Sequence, residues 1–454
     1  MTLSLQEILN CLSGTLLLKG KQEKFNKMSI DTRNITQEEI FLAISGKNFD
    51  GNKYVLDAVK KGVKLCIINK EYFDNDVFQE FDVSVILVKN TLDALEKLSI
   101  YVRSKLSIDI IAITGSVGKT TTKELVYDFL TSKYKVYKVF GNFNNHIGMP
   151  MSLINIDDDS EIGVFELGMS GLGEIDYLTK ILKPKIAIIT NIGVSHIEFL
   201  KTRENILKAK MEITNYFDED NILILNNEDD LLKNVNTSKF KIYRIGFSEN
   251  CDLFAKNICL SEQGIKFDFT YNGENEEIML SILGKHNVLN SLMAFKVCEI
   301  FKIPINLIKS KFDVLSSSSM RQEILKYKDM TIINDCYNAS PTSMKSSIDV
   351  LSLYSNEKVC ILGDMAELGI KSEFYHSEIS EYANYKIDKL IAIGKYRQAY
   401  CEKFSDKRNC FCFETIEDFE KNVRDILKGT ETILIKASRS SRFEKIINIL
   451  KDKF

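Results

Sequence analysis

The sequence predicts an α/β protein with largely parallel sheets, divided into about three domains. Short apolar runs alternate with helix-patterned segments along most of the chain, as expected where crossover helices join parallel strands. The length of 454 residues corresponds to about three domains at roughly 150 residues each. A strand-like run, Ile108–Ile113, leads into a glycine-containing turn and then a helix-patterned segment, which is the setting of a phosphate-binding loop.

In chain order, residues 1 to about 104 open on a helix-like segment, followed by IFLAISGKNFDGNKY, the helix-like YVLDAVKKG and the strand KLCIIN. A fresh strand begins at Ile108 (IDIIAIT), and VYKVF, IGVFELG, KIAIITNIG and NILILNN continue the series. Between Tyr243 and Leu283 the pattern changes. GIKFDFTY alternates apolar and polar residues, and EEIMLSIL follows an NGEN turn signal, so an antiparallel hairpin is expected. Helical segments occupy about 287–315, and the serine run Ser316–Ser319 is a linker candidate. Beyond it MTIINDCYN, KVCILGD, KLIAIG and TILIKAS read as strands separated by helices. Domains 1–104, 105–315 and 316–454 are therefore expected.

Sixty Lys and Arg against 63 Asp and Glu leave a formal charge of −3. Nonspecific nucleic-acid binding shows as a basic excess, so no nucleic-acid partner is expected, and an anionic ligand must be met by a local site. The ten cysteines are scattered and form no CxxC pair, which suggests neither a zinc ribbon nor a thioredoxin-like redox site. Cys66 in KLCIIN and Cys360 in KVCILG lie in strand-like runs and read as small buried groups. The segment MTLSLQEILNCLSG lacks the basic region and cleavage site of a signal peptide. No apolar run approaches the roughly 20 residues needed to span a bilayer. A cytoplasmic location without integral membrane association is expected.

The sharpest string is IDIIAITGSVGKTTTKELVYDFL. Its glycines let successive backbone N–H groups point inward, and the helix start adds partial positive charge facing an anion. Lys119 would reach the β- and γ-phosphates of ATP, and the Thr120 hydroxyl would ligate Mg²⁺. Gly115, Ser116, Val117, Gly118 and Thr121 complete the expected nucleotide loop. A tight turn with a solvated lysine is the plainer reading, and it fits GKTTT after such a strand poorly. Ile113 stands where the pattern GxxxxGK[ST] has its first glycine, so the loop is the shorter TGxxGKT form. Motor, GTPase and transporter ATPases typically carry the longer loop and lose weight accordingly.

TGSVGKTTTKE resembles the ATP loop of the Mur ligases, bacterial enzymes that build the peptide stem of peptidoglycan. Further strings of that family follow in order: GNFNNHIGMP, FELGMSGLGEI, TNIGVSHIEFL, LKAKMEI and LGKHNVLNSLMA, then DCYNASPTSM, GDMAELG and KASR. The resemblance implies the family's three-domain architecture, with a central P-loop-type parallel-sheet domain and a Rossmann-like C-terminal domain. DCYNASPTSM and GDMAELG resemble the branch that adds D-alanyl-D-alanine to UDP-N-acetylmuramoyl-tripeptide, and SIDTRNITQEEIFLAISGKNFDGNKY resembles its UDP-sugar domain. The resemblance thus implies an ATP-dependent amide ligase working through an acyl phosphate, with those two small-molecule substrates and a monomeric chain. Another Mur ligase, a folylpolyglutamate synthase-like ligase and a non-catalytic nucleotide binder are the alternatives.

Residue by residue, the resemblance implies that Glu166 holds Mg²⁺ together with Thr120. It makes His196 a ligand of a second Mg²⁺, and Lys210 a carbamate, formed with carbon dioxide, that supports that ion. Only an uncharged amine can react in this way, so burial or nearby cations would help. Asn287, which shares a helix face with Asn290, would contact the adenine. Arg321 and Asp335 match third-domain residues that reach the γ-phosphate and the ribose. Asn338 and Ser340 fall where the incoming dipeptide is expected, and Thr32 and Arg33 where UDP is contacted. His146 and His376 receive no role. Two departures stand out. Ser340 replaces an asparagine of the family pattern, and Ala437 replaces a glycine, which would strain the chain if that position needs a positive φ.

Overall fold

The computed structural model describes residues 2–37, 39–46, 49–70, 78–139, 141–312 and 320–454. Among these, the first sheet contains Thr15–Leu18 (β1), Lys27–Ser29 (β2), Glu39–Leu42 (β3), Leu65–Ile68 (β4) and Ser84–Leu87 (β5), in the order β1-β5-β4-β3-β2. Strands β2 to β5 pair in parallel, and β1 runs antiparallel along β5. Helix Thr91–Lys105 follows, started by Asn90, whose side chain accepts from the Leu92 and Asp93 N–H groups. Near its far end, the Arg103 guanidinium donates to the carbonyls of Leu182 and Lys183 at 2.6 and 3.4 Å. Those carbonyls close the helix Glu174–Leu182 and would otherwise lack partners. Asn155 makes a second tie, accepting from the Met28 N–H at 2.7 Å and donating to the Met28 carbonyl at 2.8 Å.

The central sheet holds Asp109–Thr114 (β6), Val136–Lys138 (β7), Ile162–Glu166 (β8), Ile186–Ile189 (β9), Ile222–Asn226 (β10), Lys241–Gly246 (β11) and Leu253–Phe254 (β12). All pairings are parallel, in the order β12-β11-β10-β9-β6-β8-β7. Strand β6 is buried on both faces. Ile111 and Ile113 pack with helix Lys119–Leu130 (α1) and helix Lys285–Ile300 (α2), while Ile110 and Ala112 pack into the opposite layer with Met149 and Leu178. This period of two explains why β6 reads as a continuous apolar run. The chain turns to opposite sides of β6 through β8 and β9, so the crevice at its C-terminal end is a topological switch point, where open α/β sheets bind ligands.

The expected hairpin is present as Gly264–Tyr271 against Glu274–Leu280, in antiparallel register with Tyr271 opposite Glu274. Its turn places Asn272 and Gly273 at φ 50° and 87°, the left-handed pair that a two-residue hairpin loop requires. The change of pattern comes later than the expected Tyr243, which belongs to β11 of the parallel sheet.

The third sheet orders Glu323–Tyr327 (β13), Met330–Asn334 (β14), Lys358–Leu362 (β15), Lys389–Ile393 (β16), Cys410–Phe413 (β17) and Thr432–Lys436 (β18) as β13-β14-β18-β15-β16-β17. Only β13 runs antiparallel. Both of its edge strands, β13 and β17, go unmarked in the sequence reading. The linker candidate Ser316–Ser319 and the boundary near 316 lie outside the described residues. Ala437 is buried and does not have a positive φ, so alanine carries no strain there. Cys66 and Cys360 are buried as expected. The cysteines are not all scattered, however: folding joins Cys401 to Cys412 in a disulfide and brings Cys410 beside them. Among the described residues no helix is long and apolar enough to cross a membrane.

Candidate active site

Strand β6 ends at Thr114 and α1 begins at Lys119, leaving a four-residue loop whose backbone the glycines permit. A Cβ on Gly115 would lie 1.8 Å from Thr190 Oγ1, and one on Gly118, at φ 88°, would lie 2.9 Å from Asn290 Oδ1. The segment after β9 braces this loop. Asn191 accepts from the Val117 N–H at 3.0 Å and donates to the Val117 carbonyl at 2.8 Å. The Ser116 N–H donates to the Asn191 carbonyl at 3.0 Å, and Ser116 Oγ accepts from the Gly193 N–H at 2.8 Å. Lys119 folds back over the loop, its Nζ donating to the Gly115 carbonyl at 2.8 Å. Burial pushes its ammonium below the usual lysine range and Arg321 adds to this, while Glu166 opposes it.

Glu166 ends β8 and is buried. Its Oε2 accepts from Thr120 Oγ1 at 2.6 Å and its Oε1 from Asn144 Nδ2 at 2.9 Å. His196 has a left-handed backbone, at φ 64°, and its Nδ1 lies 2.6 Å from Glu367 Oε2. Glu367, in the loop after β15, is itself left-handed at φ 62°, and its carbonyl accepts from the Glu198 N–H at 3.2 Å. The imidazole holds the Glu367 carboxyl below its ordinary range. Lys210 is buried on helix Arg203–Met211, and no carboxylate neutralises it among the described residues. Burial, aided by Lys119, pushes its amine well below the usual lysine range.

The third sheet supplies the opposite wall. Asp335 follows β14, and its Oδ2 accepts from Lys436 Nζ and from Ser347 Oγ, each at 2.6 Å. Its Oδ1 accepts from the Gln322 N–H at 3.2 Å. Lys436 also donates to the Asn338 carbonyl at 3.0 Å. The Arg321 guanidinium lies 3.8 Å from the Tyr337 ring centroid, a stacked placement for a cation. Asn287 on α2 donates to the Leu283 carbonyl at 2.7 Å and accepts from Asn290 Nδ2 at 2.7 Å. Nearby, burial pushes the His286 imidazole down to about 4.

One cavity of about 450 Å³ joins these walls, bordered by Ser116 to Lys119, Thr121, Glu166, His196, Lys210, Asn287, Arg321, Asp335, Asn338, Ser340 and Lys436. The chain matches the Mur ligase middle domain over residues 113–298, the Mur ligase glutamate ligase domain over 320–439 and the Mur ligase family catalytic domain over 24–103. It is 35% identical over 98% of both chains to UDP-N-acetylmuramoyl-tripeptide--D-alanyl-D-alanine ligase of Bacillus subtilis (strain 168). This chain belongs to the Mur ligase family.

Two solved Mur ligase structures carry the likeness into three dimensions. MurF from Acinetobacter baumannii superposes with a TM-score of 0.89 at 26% identity, covering 100% of this chain and 99% of that one. The MurF ligase from Thermotoga maritima in complex with ADP gives a TM-score of 0.82 at 27% identity, over 94% and 97%. In this Mur ligase, the cavity gathers the expected residues except four. Gly115 and Thr120 do not border it, but each hydrogen-bonds a residue that does, Lys119 and Glu166 respectively. Thr32 and Arg33 do not border it: Arg33 pairs with Asp31 at 2.7 Å, and the Thr32 carbonyl accepts from Lys61 Nζ at 2.6 Å. Ser340 borders the cavity while also capping helix Pro341–Leu351, where its Oγ accepts from the Ser343 N–H at 3.5 Å. Sequence reasoning assigned nothing to Asn144, Asn191, Glu367 or Lys436. Each lies inside a string that carries the family resemblance, but only contacts made across the fold show what it touches.

Proposed function

We propose that this Mur ligase joins D-alanyl-D-alanine to UDP-N-acetylmuramoyl-tripeptide at the expense of ATP, in cytoplasmic peptidoglycan precursor synthesis. The observation that carries this reading is the shared cavity, in which the phosphate loop of the central sheet faces the Arg321, Asp335 and Lys436 wall of the third sheet. The full-length likeness to ligases of that name supports the choice of substrates. A carboxylate is a poor acyl donor. Attack of its oxygen on the γ-phosphorus of ATP releases ADP and leaves an acyl phosphate. The dipeptide amine then attacks the acyl carbon, inorganic phosphate departs and the amine loses a proton. The protein needs no nucleophile of its own for this and acts by positioning and charge neutralisation. Lys119 and Arg321, on opposite walls, are the cations suited to the transferring phosphoryl group.

Thr120 Oγ1 and Glu166 Oε2 are hard oxygen donors lying together, the kind that Mg²⁺ takes, so they fit a first ion. His196 and a carbamate on Lys210 would hold a second. Bound there, Mg²⁺ would neutralise the phosphate oxygens and make the phosphorus more electrophilic. Lys210, buried and with no carboxylate partner among the described residues, supports the carbamate, because burial favours the neutral amine, the form that can add carbon dioxide with loss of one proton. Glu367 Oε2 stands 2.6 Å from His196 Nδ1, which leaves Nε2 as the nitrogen for the ion.

Residues 1–104 are assigned to the UDP-sugar, with Thr32 and Arg33 as contacts. Residues 105–315 are assigned to ATP, with Asn287 at the adenine, and 316–454 to the dipeptide and to completion of the ATP site. Asn338 and Ser340 are the contacts proposed for the dipeptide, and the chain is assigned as a monomer. The amine is tested by following phosphate release from Mg-ATP and the UDP-tripeptide with D-Ala-D-Ala, D-glutamate, L-lysine or L-glutamate as acceptor. Turnover with D-Ala-D-Ala alone is expected, and preference for any single amino acid would overturn the choice of substrate.

A further inference from the structure

The outer edge of the third sheet carries a group of side chains that ligation does not use. Cys410 and Cys412 alternate along edge strand β17, so their side chains leave the same face of the sheet. Cys401 lies on helix Arg397–Lys403, which packs against that strand. The three Sγ atoms lie within 4.8 Å of one another, and among the described residues no histidine or carboxylate joins them. All three residues are half-buried, so a small ion can reach them. Cys401 and Cys412 are bonded, and Cys410 is a free thiol beside the bond.

We propose that, once the Cys401–Cys412 bond is reduced, the three thiols bind one thiophilic d¹⁰ cation, Cu(I), in trigonal sulfur coordination. Thiolates select soft ions, whereas Mg²⁺ and Ca²⁺ require oxygen donors. Structural zinc sites take four protein ligands, and among the described residues this group offers three. With metal–sulfur bonds of about 2.3 Å, the sulfurs of a trigonal site stand about 4 Å apart, within the spread already present. Lys407 donates to the carbonyls of Cys401 and Glu402 at 2.5 and 2.8 Å, which holds a positive charge beside a site that gains net negative charge on binding.

The chemistry balances in two steps. A dithiol reductant gives two electrons and two protons to the Cys401–Cys412 bond and closes to its own disulfide, leaving two thiols. Cu(I) then replaces three thiol protons and forms three Cu–S bonds without changing oxidation state. The bonded and metal-loaded states exclude each other, so the same three residues would report both redox state and metal supply.

The test uses the full chain, reduced with dithiothreitol and desalted without oxygen. Cu(I), added as its acetonitrile complex, is titrated in competition with a chromophoric Cu(I) chelator. The reduced protein should withhold one equivalent and develop thiolate-to-copper absorption in the ultraviolet, whereas the oxidised protein should withhold none. Cys401→Ser and Cys410→Ser should each weaken retention by more than the roughly tenfold that losing an outer-shell partner costs. Cys259→Ser, at an exposed cysteine elsewhere, should leave retention unchanged. Thermal unfolding shows that each variant is folded, and Cys410→Ala replaces any serine variant that is not. Failure of the reduced protein to withhold copper would overturn the proposal. So would equal retention by the oxidised protein, or by a folded Cys410 variant.

Discussion

Burial at Lys210 and the charge of Lys119 act in the same direction, and both favour a neutral amine. Arginine at that position stays protonated and cannot form a carbamate. Lys210→Arg should therefore lose product formation while still binding ADP, measured by calorimetry and turnover on the same sample. Wild-type turnover in that variant would end the carbamate assignment. Lys119→Ala and Glu166→Ala should each lower turnover by about 10²-fold or more, with the thermal midpoint little changed for Lys119. His286 gives a prediction about pH. Its folded value of about 4 is set by burial and by Lys436, with Asp335 and Asp349 opposing, and it lies below the roughly 6.5 of an unfolded histidine. Between those values the unfolded chain takes up a proton that the folded chain refuses. The stability contribution is thus intact above about 6.5 and is lost as the pH falls toward about 4. The thermal midpoint should fall more steeply over that window in the wild type than in His286→Gln. The residues named from the sequence were those with a distinctive chemical type at a strand end or glycine loop. Glu367 and Lys436 were missed because their partners, His196 and Asp335, lie 171 and 101 residues away in the chain.

Among the elements, the phosphate loop makes the sharpest prediction. Gly115→Ala forces a methyl group into Thr190 Oγ1, an overpacking that costs about 1–3 kcal/mol where the loop is also tied to Asn191. Its thermal midpoint and its ATP affinity should both drop, and unchanged affinity would mean that the loop has another way to relax. Strand β6, α1 and the hairpin were legible because each shows its period directly: β6 is apolar on both faces, and Gly264–Tyr271 is buried on alternate residues. The missed strands share the opposite property. Edge strands β13 and β17 each have one neighbour in the sheet, and their residues are mostly half-buried, so little hydrophobic patterning is imposed on them. Strand β11 mixes Lys241, Tyr243 and Arg244 with apolar residues, which is why the end of the parallel sheet was placed too early.

For the whole molecule, the central feature is that two sheets share one cavity. Glu367 bridges them at His196, and the backbone bond from Glu198 to Glu367 lies beside that bridge. Glu367→Ala should lower kcat more than it raises KM for ATP, since the loop that holds the nucleotide is untouched, and Glu367→Gln should recover part of the loss. A change confined to thermal stability would make the contact structural only. The α/β class with largely parallel sheets was readable from the alternation of apolar runs and helix-patterned segments. The thiol cluster was not, because Cys401 meets Cys410 and Cys412 only through the packing of a helix on an edge strand. The measurement that tests the central claim most directly is mass spectrometry of a reaction containing the protein, Mg-ATP, UDP-N-acetylmuramoyl-tripeptide and D-Ala-D-Ala, with each substrate omitted in turn. A product heavier than the UDP-tripeptide by one dehydrated dipeptide, formed only in the complete mixture, is the predicted result. ATP binding without any such product would contradict it.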